Sequence, residues 1–249
     1  QAEGTTDVEE PAPTRDHTER MLPSFGCPVA RDGTRSRIVG PVALQGAEIH
    51  VPGDPSAAAF LLAAAAMVPG SDLTVRGVGT NPTRSGFLDL LSRAGARVEA
   101  GNERRFGEEP VADIRIRPGS LAPFRISRSE AGPLIDELPL VAVLAAFATG
   151  ESVIRGAAEL RVKESDRIAA VAAGLRAIGA EVEEHEDGWT IEGKPFARGG
   201  VVEAQGDHRI AMAFLVAGLR CKQGVTVAGV ESMRVSDPGF LSRLRGLMR

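Results

Sequence analysis

Hydrophobic positions along the chain fall into two kinds of helical stretch, with short alternating segments between them. Stretches 57–67, 140–148 and 210–218 are apolar at nearly every position, which predicts helices buried on all sides. Each has an aspartate just before it (Asp54, Asp136, Asp207), a residue that caps a helix by accepting hydrogen bonds from its first free N–H groups. Pro55 and Pro139 fit first helical turns, where a missing N–H costs little. Stretches 87–95 and 168–179 read as the second kind, amphipathic helices closed by Ala-Gly or Ile-Gly, and 73–78, 96–99, 113–117, 181–183, 188–191 and 225–230 read as strands.

These elements repeat. A glycine closes a helix (Gly4, Gly70, Gly150, Gly224), a short strand follows, then a Gly- or Pro-marked turn, a few polar residues and an amphipathic helix. Hairpin strands and a buried helix complete the unit. Units of this kind share one core, and their helix starts face the same way. The fold class is therefore mixed α/β (α+β), built of repeated units around buried helices. Residues 1–49 hold one copy without a buried helix and 50–249 hold three copies with three, so we expect a domain boundary near His50. The opening Gln-Ala-Glu-Gly reads as the C-cap of a helix whose body is absent, which marks residues 1–49 as a remnant of another domain.

Composition narrows the function. A chain of 249 residues buries a full core, and with 4% aromatics, no tyrosine and Trp189 alone, that core is made of small aliphatic side chains. A net charge of −4 gives no case for nucleic-acid binding, and the charges are mixed along the chain, so no membrane surface is implied. The apolar run 57–68 is too short to span a bilayer, and without a signal peptide the expected location is cytoplasmic. Cys27 and Cys221 lie far apart, so neither a disulfide framework nor a metal site is indicated.

The chemistry concentrates at LRVKESDRI, 160–168. Ser165 or Asp166 can cap the helix that follows, and the free N–H groups of a helix start favour anions. Lys163 and Arg167 there suit a phosphorylated or carboxylated ligand, with Glu164 available to move a proton. The competing reading of this string alone is a capped, solvated surface helix.

Together with GDHRIAMAF (206–214), IDELPLVAVLAAFA (135–148) and EPAPTRDHTERML (10–22), this stretch makes the whole chain resemble the enolpyruvyl transferases, and most of all their branch acting on shikimate 3-phosphate. The resemblance implies two lobes of three βαβαββ units each, an inverse barrel, with the active site in the cleft between them. Residues 1–49 would be the end of the first lobe and 50–249 the second. It implies transfer of the enolpyruvyl group of phosphoenolpyruvate to the 5-hydroxyl of shikimate 3-phosphate with loss of phosphate, without metal or organic cofactor.

By the same resemblance, Glu164 transfers a proton at the phosphoenolpyruvate methylene, and Asp136 contacts the shikimate hydroxyl as the other acid/base. Two carboxylates in different surroundings suit addition followed by elimination. Arg167 and Arg209 hold phosphoenolpyruvate, through the two-pronged geometry of a guanidinium; Lys163 and Arg15 hold shikimate 3-phosphate. Glyphosate is an implied inhibitor and a monomer the implied full-length state. His208 and His17 read as structural, and Asp54 as a cap only. A lysine common in the family's C-terminal motif is absent from 235–240, with Arg234 nearby, and Pro23 should interrupt the first helix. One wall of a cleft should not turn over by itself. The alternatives are the sister transferase acting on UDP-N-acetylglucosamine, and a non-catalytic repeat or binding module.

Overall fold

The computed structural model describes residues 2–247; Gln1, at the head of the opening stretch, lies outside them. The chain opens with β1 (Gly4–Glu9) and the short helix α1 (His17–Met21). α1 passes into a 3-10 turn, Leu22–Phe25, at Pro23, where the ring ends the α-helical pattern. β2 (Ala30–Asp32) and β3 (Arg35–Gly40) complete a sheet in the order β1-β3-β2.

The first buried helix, α2 (Pro55–Met67), starts where Asp54 accepts from the N–H groups of Ser56 (3.0 Å) and Ala57 (3.3 Å). β4 (Leu73–Gly79), α3 (Gly86–Arg93), β5 (Arg97–Phe106) and β6 (Glu109–Arg117) follow, the strands ordered β4-β6-β5. The β5–β6 hairpin runs well beyond 96–99 and 113–117. Its outer part carries Glu103, Arg104 and Arg105 on a solvated ribbon, where no apolar alternation marks a strand.

β7 (Arg125–Ile126) and α4 (Arg128–Ala131) lead into α5 (Leu138–Phe147), then β8 (Gly150–Ile154), α6 (Arg167–Ala177), β9 (Glu181–His185) and β10 (Gly188–Gly193). Their sheet order is β7-β8-β10-β9. Last come β11 (Gly200–Glu203), α7 (His208–Ala217), β12 (Val225–Ala228), parallel to β11, and α8 (Phe240–Leu247). The glycine opening each sequence repeat lies at positive φ (Gly4 85°, Gly70 81°, Gly150 115°, Gly224 69°), but it does not close a helix: α2 and α5 end at extended caps, Val68 and Ala148, two residues before Gly70 and Gly150, while Gly4 and Gly150 begin strands.

All ten residues of α5 are buried, and it packs against α2, α6 and α7 at the centre of one continuous apolar core. Each large side chain there, such as Leu140, Leu144 or Phe147, contributes about 1.5–3 kcal/mol by leaving water. α6 is less amphipathic than its sequence suggests, since Ile168, Ala170, Val171, Ala172 and Leu175 are all buried. It approaches α7 closely: a Cβ on Gly174 would stand 2.3 Å from Cζ of Phe214. Trp189 on β10 donates its indole N–H to the Ile168 carbonyl (3.0 Å), fixing the sheet against the first turn of α6. No helix among the described residues is long and apolar enough to cross a membrane.

Candidate active site

The start of α6 is capped by Asp166, whose Oδ1 accepts from the Ala169 N–H at 3.0 Å. Ser165 is thereby free, and its hydroxyl donates to Asp207 at 3.1 Å. Asp207 is 0% exposed and caps α7 in turn, accepting from the N–H groups of Arg209 (2.9 Å) and Ile210 (3.4 Å). Between the two helix starts lies Arg167, 1% exposed, with Nε donating to Asp207 Oδ2 at 2.7 Å and Nη2 to Glu164 Oε2 at 2.6 Å. Burial pushes the Asp207 carboxyl up, but the Arg167 hydrogen bond and charge, the α7 N–H and Ser165 outweigh it and hold the group below its ordinary value.

Arg167, expected to hold phosphoenolpyruvate, is thus enclosed, with its donors on two protein carboxylates. A guanidinium so enclosed needs fixed acceptors, and Asp207 and Glu164 supply them. Glu164 itself stands half exposed above it. Lys163 turns away along the chain and pairs with Glu159, one turn back.

Asp136 precedes α5 but does not cap it. Glu137 occupies the cap position and makes no cap hydrogen bond, while the Asp136 carboxylate accepts from Arg15 and lies 3.6 Å from Arg209 Nη2. Arg209 Nη1 also donates to the Asp136 carbonyl at 3.0 Å. Burial raises the Asp136 pKa, but the charges of Arg209, Arg15 and Arg84 and the Arg15 hydrogen bond bring it below the ordinary value. Its neighbour goes the other way. Glu137 is buried and its pKa is raised by that burial and by Asp136, against the Ser56 hydrogen bond and the charges of Arg209 and Arg84.

The residues singled out from four separate segments thus stand in one row. Arg15, Asp136 and Arg209 form one end; Asp207, tied to Arg209 through its backbone N–H, leads on to Arg167 and Glu164, while Lys163, next to Glu164 in the chain, is turned to Glu159. The row runs along the starts of α5, α6 and α7 and brings Arg15, Arg209 and Arg167 together with the carboxylates of Asp136 and Glu164. Such a row can hold anionic groups and move protons at two points. His208 is held below its ordinary pKa by burial and by Arg209, which leaves it a neutral neighbour. Arg234 is exposed on a 3-10 turn, Val230–Val235. Among the described residues no three His, Cys, Asp or Glu side chains are grouped to hold a metal ion.

Ser56, Glu137, Arg84 and the pairing role of Asp207 were not singled out by sequence. A usable signal was present: Arg15, Arg84 and Arg167 each stand where a repeat enters its amphipathic helix, α1, α3 and α6. A cavity of about 330 Å³ is walled by Met21, Ile49, Val51 and Phe106 and reaches Asp54 and Arg84.

The family model described as EPSP synthase (3-phosphoshikimate 1-carboxyvinyltransferase) matches residues 1–244. A 3-phosphoshikimate 1-carboxyvinyltransferase of Halorhodospira halophila is 52% identical over 99% of this chain and 55% of its own length. One of Acidithiobacillus ferrooxidans is 50% identical over 99% of this chain and 57% of its own. The solved EPSP synthase of Acinetobacter baumannii superposes with a TM-score of 0.92 at 44% identity, covering 98% of this chain and 57% of that one. The enolpyruvyl transferase NikO of Streptomyces tendae, at 21% identity and a TM-score of 0.78, shares the fold. The chain therefore spans little more than half the length of the curated relatives it matches. Its match along nearly the whole of its own length makes it a member of the EPSP synthase family.

Proposed function

We propose that the row at the starts of α5, α6 and α7 is one wall of a site that transfers the enolpyruvyl group of phosphoenolpyruvate to the 5-hydroxyl of shikimate 3-phosphate, releasing phosphate. The observation that carries the reading is Asp136 clamped between Arg15 and Arg209, with Glu164 half exposed further along the same row. In the addition step Asp136 takes the hydroxyl proton, the oxygen bonds to C2 of phosphoenolpyruvate, and Glu164 delivers a proton to the methylene carbon. In the elimination step Glu164 takes a proton back from that methyl group, the double bond re-forms and phosphate leaves, taking up through solvent the proton that Asp136 accepted from the hydroxyl. Arg209, with Arg167 beneath Glu164, balances the charge of phosphoenolpyruvate. Arg15 and Lys163 serve shikimate 3-phosphate, which requires Lys163 to leave Glu159, an exposed pair worth little to stability.

On this reading residues 50–249 are one lobe of an inverse barrel and residues 1–49 the end of the other. The remaining length of the relatives supplies the second wall, the full-length protein is a cytoplasmic monomer, and glyphosate competes at the row. The chain alone does not turn over, because positioning both substrates supplies much of the rate. Phosphate release from the 249-residue chain with both substrates tests this. Turnover near that of a full-length relative defeats the one-wall reading. Thermal shift with shikimate 3-phosphate against UDP-N-acetylglucosamine separates the two transferase activities, and ligand binding left untouched by Glu164→Gln and Arg209→Ala would favour a non-catalytic module.

A further inference from the structure

The turn from Asn81 to Arg84 lies between β4 and α3, away from the row, yet both of its ends reach toward it. The turn is closed by the Arg84 N–H donating to the Asn81 carbonyl at 2.8 Å, with Pro82 at its first corner. At one end Asn81 Nδ2 donates to Asp16 Oδ1 (2.7 Å) and to Glu109 Oε2 (3.0 Å), while its Oδ1 accepts from the N–H and hydroxyl of Thr83 (2.9 and 2.8 Å). Asp16 is further held by Arg20 (2.9 Å) and Arg31 (2.8 Å), and it is the residue after Arg15. At the other end Arg84 Nη2 donates to Ser56 Oγ at 2.6 Å, and that hydroxyl donates to Glu137, the residue after Asp136. One turn therefore grips the immediate neighbours of both members of the Arg15–Asp136 pair.

Burial makes these contacts consequential. Asn81, Ser56, Glu137 and Asp16 are 2%, 3%, 4% and 5% exposed, so each polar group has given up water and depends on these particular partners. We propose that the Asn81–Arg84 turn is a positioning bracket that sets the separation and aim of Arg15 and Asp136. Asn81, Arg84, Ser56 and Glu137 touch no substrate; they act through the pair. The inference rests on the reading above that this pair receives the shikimate 3-phosphate, and it names the residues that hold the pair in register.

The test follows Asp136 directly, by carbon-13 NMR titration of aspartate-labelled chain, with its signal assigned by its loss in Asp136→Asn. The charged groups acting on Asp136 are Arg15, Arg209, Arg84 and Glu137. Ser56→Ala and Asn81→Ala remove a link at each end of the bracket without changing any charge. Both should move the Asp136 titration upward, toward that of an ordinary aspartate, whereas Ser56→Thr, which keeps the hydroxyl, should leave it in place. Ser56→Ala deletes one oxygen and adds no bulk, so it reports even where Asn81→Ala fails to fold. An unmoved Asp136 titration in Ser56→Ala, in protein that melts cooperatively, overturns the bracket. Calorimetry of shikimate 3-phosphate on the same proteins separates the two readings. Wild-type binding weakened about tenfold in both variants supports both, since small misplacements of a positioned group cost this much or more. A shifted titration with no binding in the wild type upholds the bracket and removes the substrate assignment.

Discussion

Replacing Asp207 by asparagine isolates the charge of one buried group while keeping its shape. The asparagine Oδ1 can still accept from the N–H groups of Arg209 and Ile210, so the cap of α7 survives. What is lost is the counter-charge to Arg167, held by Nε at 2.7 Å and Nη2 at 3.4 Å with both side chains out of water. Breaking such a pair from one side costs about 3–5 kcal/mol, because a charge remains enclosed. Arg167 keeps Glu164 at 2.6 Å, so the low end, about 3 kcal/mol, applies here. Asp207→Ala adds the loss of the cap, about 1 kcal/mol more. For a chain of this size Asp207→Asn should then lower the melting temperature by roughly 6–12 °C.

The pH dependence has a fixed sign. The Asp207 pKa lies below its ordinary 3.8, so its contribution is fully present above that value and is lost as pH falls through the folded-state value. The gap between wild type and Asp207→Asn should hold steady from neutral pH down to about 5 and close at lower pH. Urea unfolding followed by the fluorescence of Trp189, which is buried, measures both. The double variant Arg167→Met/Asp207→Leu should recover most of the loss, since apolar replacement of a buried pair is often neutral or better. A cost of less than about 1 kcal/mol for Asp207→Asn at neutral pH would show that Arg167 does not depend on the Asp207 charge.

Trp189→Phe should cost about 1–3 kcal/mol in urea unfolding followed by circular dichroism, because it removes the buried indole hydrogen bond to the Ile168 carbonyl and leaves a gap beside the first turn of α6. Gly174→Ala should lower the thermal midpoint through a loss of about 1–3 kcal/mol, since its methyl group would meet the Phe214 ring, and Phe214→Leu in the same chain should restore part of it. Glu137 has the opposite sign to Asp207: its raised folded-state pKa makes its contribution greatest below the ordinary 4.5 and lost as pH rises through the folded value. Glu137→Gln, which cannot ionise, should flatten the decline of the thermal midpoint between mildly acidic and mildly alkaline buffer.

The buried helices were legible because α2, α5 and α7 are apolar on nearly every side, a pattern that a surface helix cannot carry. The sites at their starts were legible as residue types but not as states. Capping rules assign Asp136 by its place in the chain, yet its partners are Arg15 and Arg209, distant in sequence, and local rules carry no term for them. Arg167 sits in a run of charges that reads as solvated; Asp207, far downstream, is what allows it to be enclosed. Strands β2 and β3 escaped notice for a related reason. β2 is exposed throughout, and β3 alternates only between exposed and partly buried positions, the latter filled by Ser36, Ile38 and Gly40, so no run of alternating apolar residues marks either strand.

The complete burial of α5 bears on motion as well as stability. With no side at the surface, its amides reach solvent only when the surrounding helices part, so they should exchange hydrogen at the rate of global opening. Asp136 is attached directly to this slowest element. Arg15 arrives beside α1, a five-residue helix with no buried residue. Exchange in α1 should therefore run far ahead of exchange in α5, and the Arg15–Asp136 pair should part by departure of its arginine while the carboxylate keeps its place.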